Sequence, residues 1–228
     1  MGANKASLEN AAVYPPSHRR RYESPRQRER QRTILATARE LLDAQGYAGM
    51  TMRELARSAG VAQGTLYNLY SSKDELIVAA VDDLLLELGE QAAAIEVPAG
   101  FESIISIAGV MGAQIVRAPK YADAICRALF NAQPDDPIVD VTFGRFGPLV
   151  ERHLHQAAAR GQLIDGAATD LLAKHLVGQN WSVILLWLMG SLPIEQLEKE
   201  NRRSQIMTLA GVATPAAQGL LREMLADL

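Results

Sequence analysis

The stretch Thr51–Glu75, TMRELARSAGVAQGTLYNLYSSKDE, constrains the fold more tightly than any other part of the 228-residue chain. Thr51 followed three residues later by Glu54 has the form of a capping box, in which a hydroxyl and a carboxylate satisfy free N–H groups at a helix start. Met52 to Ser58 therefore reads as a short helix, with Leu55, Ala56 and Ala59 giving it a small apolar face. Gly60 stands where the chain must turn sharply, and Val61 can pack back between the helices on either side. A second short helix, about Gln63 to Tyr70, comes next. Ser72 and Glu75 then form another capping box and start a long helix. Two short helices joined by a three- or four-residue turn containing glycine make a helix-turn-helix, whose second helix can enter the major groove of DNA.

The residues on that second helix suit the task. Gln63 and Asn68 can pair bidentately with adenine, and the Thr65 methyl can meet a thymine methyl. Tyr67 and Tyr70 end in hydroxyls, which bond phosphate or cap a core. Lys73 lies in the first turn of the next helix, where the macrodipole disfavours a cation; a backbone phosphate is the partner that explains it.

A net charge of −3 argues against nucleic acid only if it is evenly spread, and it is not. Residues 17 to 73 hold eleven Lys or Arg against five Asp or Glu, a balance of +6 that leaves −9 for the remainder. A basic end on an acidic body fits a DNA partner. The single cysteine, Cys126, rules out an intramolecular disulfide framework and a cysteine zinc cluster. No apolar run approaches the roughly 20 residues of a membrane span, and the N-terminus lacks a signal-peptide pattern. The expectation is a cytoplasmic protein with no membrane partner.

GTLYNLYSSKDEL resembles the recognition-helix segment of the TetR family of bacterial transcriptional regulators. The preceding ILATARELLDAQGYAGMTMRELARSAGVA resembles that family's first two helices. The resemblance covers about Arg28 to Val81; beyond it only the helical architecture is similar. It implies a homodimer, each subunit carrying a three-helix DNA-binding domain and a larger helical domain for effector binding and dimerisation. It also implies a palindromic operator, released when a small effector changes the spacing of the two recognition helices. At matching positions it implies phosphate contacts for Thr51, Tyr67 and Lys73, and contacts to bases or the adjoining backbone for Gln63, Thr65 and Asn68. Ala62 departs from the Ser or Thr common there, which removes a helix cap and about 1 kcal/mol of local stability. Asn68 stands where His is common, so the operator cannot be copied from other members.

Along the chain, residues 1–25 read as a flexible basic arm, with Arg19, Arg20 and Arg21 able to add phosphate attraction or enter a minor groove. Residues 26–75 form the DNA-binding domain and 76–228 the effector and dimerisation domain, joined through the long fourth helix. The first helix, about Gln27 to Gln45, buries Ile34, Ala38, Leu41 and Leu42, and Gly46 ends it. Tyr47 and Met50 are assigned to closing the small core. The fourth helix starts at Ser72 and buries Leu76, Ile77, Ala80, Val81, Leu84, Leu85 and Leu88. Further helices read as Phe101 to Ala118, Tyr121 to Ala132, Pro137 to Gly161 with Asp136 as N-cap, Asp165 to Met189, Pro193 to Leu209 and Pro215 to Leu225. No alternating pattern suggests a sheet, so the fold class is all-α with nine or ten helices.

Val183 to Met189 is apolar around the whole helix axis, which requires a large core or another subunit. The family's dimer bundle maps here onto Asp165 to Met189 and Pro193 to Leu209. Candidates for an effector pocket are Met111, Gln114, Ile115, Phe130, Phe143, Phe146, Asn180, Trp181 and Trp187, with His153 and Gln179 as further polar groups. Their bias toward apolar side chains favours a mostly hydrophobic effector. Gly109, Gly112, Gly144, Gly147 and Gly178 lie inside helical patterns, where each costs up to about 1 kcal/mol; they mark close crossings or room for a ligand. No nucleophile elbow, phosphate-binding loop, metal spacing or cofactor motif is present, so no enzyme and no cofactor is expected. The function read from the chain is an effector-released repressor. A ligand-responsive activator and a DNA-binding protein without an effector are the alternatives.

Overall fold

The computed structural model describes residues 24–94, 96–130 and 132–228. Residues 1–23 of the arm, with Arg19, Arg20 and Arg21, lie outside them. Helix α1 (Pro25–Gly49) begins with a complete capping box: Gln27 N–H donates to Ser24 Oγ (3.3 Å) and Ser24 N–H to Gln27 Oε1 (2.8 Å). Its regular part stops at Gly46, whose φ of 71° breaks the helix where the sequence placed its end. Helix α2 (Met52–Ser58) is capped by the Thr51 hydroxyl, which accepts from Glu54 N–H at 3.2 Å. The reciprocal half of that box is absent, because the Glu54 carboxylate accepts instead from Gln45 Nε2.

Gly60 then makes the turn. Val61 N–H reaches Ala56 O (2.9 Å) and Gly60 N–H reaches Arg57 O (3.3 Å), the paired bonds of a Schellman motif with glycine at its left-handed position, φ 66°. Helix α3 (Gln63–Leu69) follows with no side-chain cap at Ala62, as its methyl group dictates. Helix α4 (Lys73–Ala94) starts with Glu75 N–H on Ser72 Oγ (3.1 Å). Here too the box is displaced: the Glu75 carboxylate accepts from Ser71 N–H at 2.7 Å.

The body consists of α5 (Phe101–Arg117), α6 (Pro119–Phe130), α7, α8 (Thr169–Leu188), α9 (Leu197–Ala210) and α10 (Pro215–Ala226). Helix α7 is a single rod of three segments: Pro137–Val139, a π-helical stretch Asp140–Arg145, and Phe146–Ala159. The π stretch was not legible in the sequence. Thr142 marks it, donating its hydroxyl to Ile138 O at 2.6 Å. Asp136 occupies the N-cap position, but its carboxylate turns back to accept from Gln133 N–H. Helix α8 starts four residues later than the periodicity suggests, because the preceding chain is held by α10's approach: Ile164 N–H bonds Val212 O and Thr214 N–H bonds Gln162 O. Leu163 and Ala213 form an isolated bridge and no strand.

Helices α5 and α9 cross in close contact. A Cβ on Gly112 would lie 2.7 Å from Glu198 Cα, and one on Gly109 would meet the Arg202 side chain at 3.2 Å. These two glycines mark a crossing; Gly147 and Gly178 would meet nothing within 4 Å. One continuous core runs from Ile34 through Leu66 and Leu84 to Phe101, Phe146 and Leu176. Among the described residues no single helix is long and apolar enough to cross a membrane.

Candidate nucleic-acid interface and its link to a buried cavity

Helix α3 is anchored by one side. Leu66 is completely buried and Tyr70 nearly so, both packed in the core of the head, while Gln63, Tyr67 and Asn68 face outward; Tyr67 is 46% exposed. Tyr70 is thus a core residue, and Thr65 sits half-buried at the edge. The resulting face has amide and phenol groups on a rigid floor, the arrangement that reading base edges requires. Thr51 is exposed and uses an oxygen lone pair as the cap of α2, which leaves its O–H free to donate.

Lys73 has a structural duty beside the one its sequence position suggests. Its ammonium donates to Tyr47 O and, at 2.7 Å, to Met50 O, and it stands 4.0 Å from the centre of the Tyr47 ring. It therefore ties the start of α4 to the loop that ends α1. Burial lowers its pKa, partly offset by Asp74. One ammonium N–H remains for a phosphate. Tyr47 is no core residue but an exposed platform, with its hydroxyl donating to Asp74 Oδ1 at 2.6 Å. Met50 does close the core. Lys73→Met keeps the stem over Tyr47 and removes both carbonyl bonds. It is expected to cost about 1–2 kcal/mol, read by thermal unfolding; the range sits low for charged-group bonds because the site is partly open to solvent. An unchanged melting temperature would mean that the two bonds add nothing to the clasp.

The head is also fastened to the body. Arg39 of α1 forms a bidentate pair with Glu87 of α4 (2.9 and 2.8 Å) and lies 3.5 Å from Asp83. Helix α6 begins at Pro119 behind Ala118, a residue with no capping group. Its cap comes from α1: Asp43 Oδ1 accepts from Lys120 N–H (3.2 Å) and Tyr121 N–H (3.4 Å), and Lys120 Nζ returns a bond to Ala44 O (2.9 Å). No spacing in the sequence announces a cap supplied from 77 positions away.

Inside the body lies a cavity of about 50 Å³. Met111, Gln114 and Ile115 of α5 and Trp181 of α8 line it together, four of the nine pocket candidates. The structure places the other five elsewhere. Phe146 is packed in the main core, Phe143 lies against that core, and Asn180 donates to Leu176 O. Trp187 packs against a second cluster around Cys126 and Leu197, and Phe130 is 52% exposed at the end of α6. His153 bonds Ser103 Oγ and Gln156, and Gln179 bonds Thr208, so both are held within the framework. Sequence reasoning missed Tyr121, Cys126 and Thr142, and the whole wall contributed by α4: Val81, Leu84, Leu85 and Leu88. The spacing of Tyr121, Ala122, Ile125 and Cys126 on one face of α6 was the available signal. Burial pushes the Cys126 thiol up to about 12, so it remains protonated apolar volume.

Among the described residues no group of three or more His, Cys, Asp or Glu is placed to hold a metal ion. Residues 34–80 match the family model described as "Bacterial regulatory proteins, tetR family". The HTH-type transcriptional regulator EthR of Mycolicibacterium smegmatis is 33% identical over 66 residues, a match spanning 29% of this chain and only 30% of that protein. The uncharacterized HTH-type transcriptional regulator YezE of Bacillus subtilis is 29% identical over 154 residues, covering 63% of this chain and 78% of YezE. A crystal structure of a TetR transcriptional regulator from Rhodococcus sp. RHA1 superposes with a TM-score of 0.61 at 25% identity, over 81% of this chain and 97% of that one.

Proposed function

The chain belongs to the TetR family of bacterial transcriptional regulators, and from that premise we propose that it is a repressor that binds a palindromic DNA operator as a homodimer and leaves it when a small apolar effector enters the body. The observation that carries the DNA-binding part is the outward, rigid presentation of Gln63, Tyr67 and Asn68 above buried Leu66. Asn68 and Gln63 are assigned to base edges, and Tyr67, Thr51 and the remaining N–H of Lys73 to phosphates. Selection of bound sequences from a random DNA pool at fixed salt tests this: a palindrome with two half-sites is expected, and no enriched sequence would sink it.

The residues separate by role. Tyr67→Phe is expected to weaken binding to all sequences alike, whereas Asn68→Ala should relax the preference at one base pair, by about 1–3 kcal/mol of discrimination. A selected motif identical for wild type and Asn68→Ala would remove Asn68 from the readout.

The effector part rests on the cavity and its walls. Its lining is almost wholly apolar, which suits a hydrophobic molecule. At about 50 Å³ it is far below the several hundred Å³ of ordinary ligand pockets, so a ligand must displace the wall to enter. One wall is α4, whose first turn carries the Lys73 clasp of the head. Expansion of the cavity therefore bears on the clasp to the loop after α1, and on α3 through the short chain that joins it to α4. A larger cleft of about 480 Å³ at the seam, between Tyr47 and Ile77 and the residues Ala124 and Ile138, carries the charged Asp74, Arg127 and Asp136 in its wall and suits an apolar ligand less well. The small cavity also favours a second reading, a DNA-binding protein with no effector. Operator affinity that no apolar compound alters would support that reading over release.

A further inference from the structure

The first turn of α6 belongs to two systems at once. Its backbone N–H groups are capped by Asp43 of the head, and Tyr121 within it forms part of the cavity wall. The Tyr121 hydroxyl is fully buried and has no hydrogen-bond partner. Asp83 Oδ2, at the same junction of α1, α4 and α6, accepts no hydrogen bond but is ion-paired with Arg39 Nη2 at 3.5 Å.

We propose that Tyr121 reads the polar group of the effector, its hydroxyl donating to an uncharged acceptor such as a ketone or ester carbonyl. This rests on the reading of the cavity as the effector site. A buried hydroxyl without a partner is a standing cost that an acceptor on a ligand removes. The other hydroxyl in the wall, that of Thr142, already donates to Ile138 O. Among the described side chains no Lys, Arg, Asp or Glu lines the cavity, so an ionised ligand group would be buried without a counter-charge from them. Outside the wall, Arg39 acts on Tyr121 with the opposite sign to Asp83 and Glu87. Burial holds the phenol pKa well above its usual value, which keeps the group a donor across the physiological range. Because Asp43 holds the N–H of the same residue, a ligand that moves Tyr121 moves the attachment of α1.

The test is Tyr121→Phe in the full-length protein, with cyclopentanone and cyclopentane as probes matched in size. Without a probe, the variant should melt at the same temperature or higher and bind the selected operator as wild type does. A lowered melting temperature would place the hydroxyl in a structural bond, with Asp83 as the acceptor, and overturn the proposal. With probes, cyclopentanone affinity should fall roughly threefold to tenfold in the variant, the worth of one neutral hydrogen bond, while cyclopentane affinity stays unchanged. Unchanged cyclopentanone affinity would remove Tyr121 but leave the cavity as the site. Failure of both probes to bind the wild type would instead overturn the cavity reading, and Tyr121's role with it.

Discussion

Gly112→Val is expected to destabilise the protein by about 3 kcal/mol, the upper end of what overpacking costs. For a chain of this length that lowers the melting temperature by about 6–12 °C. The cause is specific. A Cβ at this position would lie 2.7 Å from Glu198 Cα, a backbone atom that cannot rotate away, so α5 and α9 must separate along their whole crossing. Gly109 on the same face would meet only the flexible Arg202 side chain, so Gly109→Ala should be far milder. Gly219→Ala on α10, where a Cβ meets nothing within 4 Å, should instead stabilise by about 0.5–1 kcal/mol through helix propensity. Calorimetry of the three variants separates packing from propensity. A Gly112→Val protein melting with wild type would show that the two helices do not approach as closely as described.

The contrast among these glycines shows where sequence reading stops. A glycine inside a helical pattern signals either a crossing or spare room, and only the partner helix, about ninety residues away, decides which. Features set by neighbours in the chain were legible. Thr51 caps α2, Gly60 turns it, Pro119 divides α5 from α6, and the stripe from Leu76 to Leu88 is buried throughout. Features set across the fold were not. Lys73 looks like a free cation until the carbonyls of Tyr47 and Met50 come within reach. Asp43 looks like a solvated helix residue until α6 presents two uncapped N–H groups to it. The cavity followed the same rule: side chains chosen for size scattered between core, surface and pocket. The wall that joins cavity to head came from α4, which was assigned to linkage and not to lining. The π stretch of α7 is an extreme case, since its residues satisfy an α-helical pattern equally well.

Leu186→Glu is expected to abolish the proposed dimer and, with it, operator binding. Within one chain α8 buries Val183 and Ile184 but leaves Leu186 half exposed and Met189 71% exposed, in line with Leu171 and Leu185. Met207 extends this apolar strip onto α9, which Gln179 and Thr208 tie to α8. In a free monomer a carboxylate at position 186 stays in water and changes stability little, within about 0.5 kcal/mol. In a two-fold interface the same patch occurs on both partners, so each complex would bury two carboxylates among apolar side chains. At about 3–5 kcal/mol for uncompensated buried charge, even one of the two carboxylates raises the dimer dissociation constant roughly 100-fold to several thousand-fold. Operator binding then falls with it, because a single head gains the contacts of one half-site only. Leu225→Glu, on the partly exposed face of α10, is the matched control and should leave both unchanged. Sedimentation and operator titration on the same samples decide the matter. A Leu186→Glu dimer with wild-type affinity would move the interface off α8 and α9, and the apolar strip would then need another partner.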